Sequence, residues 1–231
     1  MAEWAPVSLM EPQTNISGRL SRVSWKSLKM PANIDAKPEV CAVILAAGFS
    51  TRFGGNKLIM DVGGKTIISH AVESALGSSA ERVAAVIPDD TTMKAYIPAS
   101  VTLITNAMRG KGISSSIAAA VEYFKESADA LMFMVADQPM VDTGTLDNII
   151  SIFRQNPSFI VASSVDGDVR NPMIFPKRYF EDLLQLTGDI GAKSVALANI
   201  THVIKVEVSP EKLVDIDTVE DLVKLNSRIE K

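Results

Sequence analysis

Six apolar runs, at residues 40–45, 82–87, 101–105, 130–135, 159–163 and 202–208, alternate along the chain with stretches of helical periodicity. A strand that is apolar at every position has no side to show to water, so both faces must be covered. Alternation with helices supplies that cover and predicts an α/β fold, a mostly parallel sheet between two helical layers. The helical stretches carry their own stripes: Ile67, Ile68, Ala71, Val72, Ala75 and Leu76; Ile113, Ile117, Val121 and Phe124; Leu146, Ile149, Ile150 and Phe153; and Val219, Leu222, Val223 and Leu225. Asp217 or Thr218 caps the last of these, with Glu220 and Asp221 in its first turn. In such sheets ligands bind beyond the carboxyl ends of the strands. The segments after Leu45, Thr105 and Val135 are therefore the expected site.

Residues 1–38 differ in texture, with four of the eleven prolines and no sustained apolar period. They are expected to form an extension, largely disordered, ahead of one catalytic domain over residues 39–231. Trp4 and Trp25, the only tryptophans, offer the alternative of a pinned arm. A net charge of −4 with mixed signs provides neither a nucleic-acid face nor a polybasic membrane anchor, which points to small-molecule partners. The lone Cys41 has no intramolecular partner, and no apolar run reaches the roughly 20 residues a membrane span needs. A cytoplasmic location is expected.

After the first strand the chain reads Leu45-Ala46-Ala47-Gly48-Phe49-Ser50-Thr51-Arg52-Phe53-Gly54-Gly55-Asn56-Lys57. Small residues let backbone N–H groups approach phosphate oxygens, while Arg52 and Lys57 add a fork and a point charge. An ordinary glycine-rich loop with solvated charges is the plainer reading. A P-loop fails because Ile59 stands where its first glycine must be, and Gly48 to Gly55 lacks the dinucleotide spacing. Asp137, in Ala136-Asp137-Gln138-Pro139, lies at the end of a buried strand, where a carboxylate suits Mg²⁺ as well as it suits a turn. Asp215 and Asp217 precede the last helix, and one of them can face the crevice while Asp217 remains a capping candidate. The segment from Asn106 through Gly112, Ser114 and Ser115 opens a helix with free N–H groups and hydroxyls, which suits a nucleotide or simple capping. No serine-hydrolase elbow is present, and His70 and His202 lack partners at zinc spacing.

Together these segments resemble the MobA-like nucleotidyltransferases, and among them the molybdenum cofactor cytidylyltransferases, over residues 40–229. The carriers are Leu45-Ala46-Ala47-Gly48-x-Ser50-x-Arg52-x-Gly54-x-x-Lys57, Ala136-Asp137-Gln138-Pro139-Met140-Val141, Gly112-x-Ser114-Ser115-Ser116 and Asp215-Ile216-Asp217-Thr218-x-Glu220-Asp221-Leu222. Phe53 stands where methionine is usual, and Val219 where proline is usual. Arg170-Asn171-Pro172-x-x-Phe175 and Gly188-Asp189-x-Gly191-Ala192 resemble the acceptor-side region, with Asn171 where many members have histidine.

The resemblance implies a Rossmann-like three-layer domain of the nucleotide-diphospho-sugar transferase type. It implies Mg²⁺ on Asp137 and Asp217, catalytic roles for Arg52, Lys57 and Asp137, and nucleotide contacts from Leu45, Ala46, Ala47, Gly48, Asn106, Gly112, Ser114 and Ser115. Arg170, Asn171, Pro172, Gly188, Asp189 and Gly191 are implied on the acceptor side. The implied reaction joins CTP to a molybdopterin-type cofactor and releases pyrophosphate, with a molybdoenzyme or its chaperone as a further partner class. Alternatives are GTP with the same acceptor, a sugar-phosphate acceptor, or a nucleotide-binding module without turnover.

Overall fold

The structure is a computed structural model that describes residues 37–50, 53–89 and 92–229. The expectations for the N-terminal extension with Trp4 and Trp25, and for Arg52, lie outside the described residues.

In chain order the strands are β1 (Val40–Leu45), β2 (Asp61–Val62), β3 (Lys65–Thr66), β4 (Arg82–Ile87), β5 (Thr102–Thr105), β6 (Ala130–Val135), β7 (Ile160–Val165), β8 (Asp168–Pro176) and β9 (Val203–Glu207). The helices are α1 (Ile67–Gly77), α2 (Ile113–Phe124), α3 (Thr143–Gln155), α4 (Phe180–Leu184), α5 (Lys193–Ala198) and α6 (Val219–Ile229). Among the described residues the main sheet has seven strands in the order β5-β4-β1-β6-β8-β7-β9, and β2 and β3 pair separately. β1 pairs in parallel with β4 and β6, as expected for strands buried on both faces, and the partly exposed edge strands β5 and β9 pair in parallel with β4 and β7.

β8 departs from that pattern. It runs antiparallel between β6 and β7, and the β7–β8 register shifts between Ala162 and Ser163. Pro172 has no N–H for a ladder, and the irregularity opposite it is where a sheet can tolerate proline. That proline, with Arg170 and Asn171 beside it, hides the strand from a pattern-based reading.

The alternation of side chains along β1 divides the core in two. Val40, Ala42 and Ile44 face one layer with α1 and α3, through Ile68, Val72, Leu146 and Ile150. Cys41 and Val43 face the other, with Ile117, Val121 and Phe124 of α2 and Phe180 and Leu183 of α4. Burial pushes the Cys41 thiol up to about 11, so it packs there as a small apolar group.

One capping contact bears on the site through the chain that follows. Asp142 Oδ1 accepts hydrogen bonds from Thr145 N (2.9 Å) and Thr145 Oγ1 (2.7 Å) at the start of α3, and its Oδ2 accepts one from Lys212 Nζ (2.7 Å). Burial opposes its charge, but Lys212 and Thr145 outweigh it and hold the carboxyl at about 2. The pKa is depressed from 3.8, so the stabilisation is complete above that value and disappears as pH falls toward 2. Asp142→Ala is expected to cost about 1 kcal/mol at neutral pH, measured by urea denaturation. The deficit should shrink below pH 3.8. A deficit that is constant or growing down to pH 2.5 would contradict this assignment.

Candidate active site

The sheet places a crevice between the carboxyl ends of β1 and β6, where the chain, having added strands on one side of β1, crosses to the other. Ala46 N donates to Val86 O (2.9 Å) and Ala136 N to Leu45 O (3.2 Å), so the segments leaving β1 and β6 are held side by side. Ala46 and Ala47 are buried, whereas a Cβ at Gly48 would meet nothing within 4 Å. This open backbone forms one wall of a cavity of about 290 Å³. Leu45, Ala46, Ala47, Gly48, Lys57, Gly112, Asp137, Asp189 and Asp217 all line it.

Lys57 is the centre of its charge. Leu58, 5% exposed, anchors the short turn Lys57–Ile59 in the core, and Asn56 Oδ1 caps that turn by accepting from Leu58 N (3.2 Å). The anchoring aims the Lys57 side chain into the crevice, where Nζ donates to Asp137 Oδ2 (2.7 Å) and Asp217 Oδ1 (3.0 Å). Burial opposes the ammonium charge, but the two carboxylates prevail and hold the Lys57 pKa above its ordinary value.

The carboxylates are fixed from different directions. Asp137 lies two residues beyond the end of β6. The segment carrying Asp217 is tied to it because Ile216, fully buried, donates its N–H to Asp137 O (2.9 Å). Capping of α6 falls to Thr218, whose Oγ1 accepts from Asp221 N (3.2 Å), while Asp221 Oδ2 accepts from Thr218 N (2.9 Å). Asp215 turns to Gln138, accepting from its Nε2 (3.0 Å). Burial raises the Asp215 pKa, and the neighbouring Asp137 charge adds to the effect.

A divalent cation fits this donor set. Among the described residues, Asp137 Oδ1 is buried and accepts no hydrogen bond, an oxygen for which a cation is a natural partner. No cluster of three or more His, Cys, Asp or Glu groups forms a closed metal cage among the described residues. An open site of one or two carboxylates completed by phosphate oxygens and water is the usual arrangement for Mg²⁺.

The remaining expected residues divide. Asn106, Ser114, Ser115 and Gly188 line a second cavity of about 490 Å³ beside the start of α2. Asn106 Nδ2 donates to Ser115 Oγ and Ser116 Oγ, both at 2.9 Å, which ties the β5 exit to α2. Asp189, expected on the acceptor side, lies in the same cavity as the Gly48 loop and does not cap α5, whose N-cap is Ala192 with no side-chain bond. Arg170 pairs with Asp168 (3.1 Å) on β8, and neither it nor Asn171, Pro172 or Gly191 lines either cavity. Phe49 and Arg109 line the first cavity and were not selected from the sequence; Ser116, present in the Gly112 motif but given no role of its own, lines it too. Arg109 appears there as one more surface cation before a helix, without a local signal to distinguish it.

This geometry has counterparts in known proteins. The family profile described as MobA-like NTP transferase domain matches residues 42–203. The chain is 28% identical over 200 residues to purine catabolism protein PucB of Bacillus subtilis, covering 80% of this chain and 94% of that one. It is 26% identical over 200 residues to the molybdenum cofactor guanylyltransferase of Shewanella frigidimarina, covering 84% and 99% respectively. The fold is shared with Rv0371C of Mycobacterium tuberculosis, solved as a manganese complex, at a TM-score of 0.71 and 20% identity over 83% of this chain and 100% of that one. With a matched profile that includes the β1 loop, Lys57, Gly112 and Asp137 of the crevice, the chain is a nucleotidyltransferase of the MobA-like NTP transferase family.

Proposed function

We propose that residues 39–231 transfer a nucleoside monophosphate from CTP to the terminal phosphate of a molybdopterin-type cofactor, with Mg²⁺ and release of pyrophosphate. The observation that carries this reading is the convergence, in one crevice, of an open backbone loop with Lys57 held between Asp137 and Asp217. An acceptor phosphate oxygen attacks the α-phosphorus as the bond to the β-phosphate breaks, and its electron pair leaves on pyrophosphate. A phosphate nucleophile is already ionised at neutral pH, so no protein base is required.

The chain's task is to bring anions together. The Gly48 backbone admits the phosphates closely, and the Lys57 ammonium, kept charged by its two partners, offsets charge within the cavity. Arg52 is assigned to the same phosphates. Asp137 and Asp217 would hold Mg²⁺, which when bound neutralises and orients phosphate oxygens. The manganese complex of Rv0371C supports a divalent cation in this fold. A pure binding module has less use for a lysine committed to two carboxylates.

The names of two relatives, the guanylyltransferases of Shewanella frigidimarina and Thermococcus sibiricus, favour GTP as a second reading. The two readings diverge at Ala47, which lines the cavity and is 3% exposed. Its methyl occupies space that a purine's second ring would compete for. A difference of this size is worth about 1–3 kcal/mol, or roughly 10 to 200-fold. Pyrophosphate release from each of the four NTPs with reduced molybdenum cofactor, with the product identified by mass, tests the proposal. The expected result is a CTP preference in kcat/KM that Ala47→Gly relaxes by about tenfold. Preference for GTP in the unsubstituted chain would overturn the cytidylyl reading, and no transfer to this acceptor from any NTP would overturn the acceptor.

A further inference from the structure

We infer that Arg109, held against the ring of Phe49, is a phosphate-binding residue of the active-site cavity. The inference rests on the nucleotidyl-transfer reading and adds to it a cation that neither the phosphate-loop motif nor the carboxylate pair contains.

Charge balance within the cavity leads to this residue. Among its described lining residues, Asp137, Asp189 and Asp217 face only Lys57 and Arg109 as cations. Lys57 is already committed to two of the three carboxylates. An incoming polyphosphate needs positive charge that is not spent on the wall itself. Arg109 supplies it, since its side chain contacts an aromatic ring and forms no ion pair among the described residues.

The way Arg109 is held suits an anion. Its guanidinium carbon lies 4.5 Å from the Phe49 ring centroid, a cation–π contact. A ring contact of this kind uses no N–H donor of the guanidinium, so its fork is left for hydrogen bonds to an anion. The backbone is fixed by a short turn, with Lys111 N donating to Met108 O (2.8 Å) and Gly112 N to Arg109 O (3.1 Å). Phe49 arrives from the other side of the crevice, in the loop after β1, and is 55% exposed. An aromatic ring this exposed contributes little to the core. Its position is explained by what rests on it, so Phe49 acts as a positioning residue.

The phosphate recognised belongs either to the nucleotide or to the acceptor, and binding measurements separate these sources. Calorimetric titration of the full chain with Mg²⁺ and CTP, tripolyphosphate or cytidine provides the readout, independent of turnover. Arg109→Ala is expected to weaken CTP and tripolyphosphate about tenfold or more and to leave cytidine unchanged. Arg109→Lys should recover only part of the loss, because a point charge cannot replace the fork. Phe49→Ala should reproduce part of it, and Phe49→Tyr should restore binding. If CTP affinity holds but the acceptor KM rises about tenfold at unchanged kcat, the residue serves the acceptor's phosphate and the inference stands. Changes below twofold in tripolyphosphate affinity, CTP affinity and acceptor KM alike would overturn it. Intact tripolyphosphate binding without nucleotidyl transfer would instead remove the functional reading and spare this one.

Discussion

Asp137→Asn is expected to reduce nucleotidyl transfer by about 10²-fold or more, while the melting temperature shifts by only about 2–4 °C. The amide keeps the shape of the carboxylate, and its oxygen can still accept from Lys57 Nζ, now 2.7 Å from Oδ2. It removes the negative charge beyond the end of β6 and the anionic character of Oδ1, the buried oxygen that has no hydrogen-bond partner among the described residues. Asp137→Ala is a poorer test because it leaves a largely buried ammonium with Asp217 as its remaining carboxylate partner and so mixes stability with chemistry. The measurements are kcat at saturating Mg²⁺, Mn²⁺ binding by electron paramagnetic resonance and a thermal melt. Transfer within threefold of the unsubstituted chain, with Mn²⁺ affinity preserved, would remove Asp137 from the catalytic group.

Gly112→Ala is expected to damage both stability and activity. Gly112 has φ 87° and ψ −178°, a conformation open in practice only to glycine. A Cβ there would lie 2.3 Å from Gly188 C and Gly188 O and 2.6 Å from Asp189 Oδ1. The obstruction is mainly backbone, so it cannot be relieved by rotating a side chain. The 187–189 segment must move away from the start of α2, breaking the bond from Ser114 N to Gly188 O (3.2 Å) and displacing Asp189 from the cavity. Backbone strain and overpacking together should cost about 2–5 kcal/mol, which lowers the melting temperature by several degrees. Because Gly112 and Asp189 both line the cavity, kcat/KM should fall further than stability alone explains. A melting temperature within about 1 °C of the unsubstituted chain would show that the segment yields freely.

The two predictions draw on different kinds of information. Asp137 was selected from sequence because it lies just beyond a run of six apolar residues, Ala130 to Val135, and the edge of a doubly covered sheet is where a polar group can face a ligand. Gly112 was selected through its motif, but its contact with Gly188 and Asp189 joins segments far apart in the chain. The reading of Asn106, Ser114 and Ser115 as one group with Gly112 illustrates the limit. They are neighbours in sequence, yet helix α2 turns Gly112 toward one cavity and Ser114 and Ser115 toward another.

What the sequence determined by itself was whatever a local pattern can express. The wholly apolar runs at 40–45 and 130–135 required a sheet covered on both sides, helical stripes supplied the cover, and their alternation put the crevice after Leu45 and Val135. The tertiary structure decided which side chains meet there. Lys57 joins Asp137 and Asp217 across 80 and 160 positions of chain, Arg109 stacks on Phe49, and β8 enters antiparallel despite Pro172. Periodicity fixes the side of an element on which a residue lies. Its partner on that side is set by the order in which strands are added to the sheet and by the packing of the loops that join them.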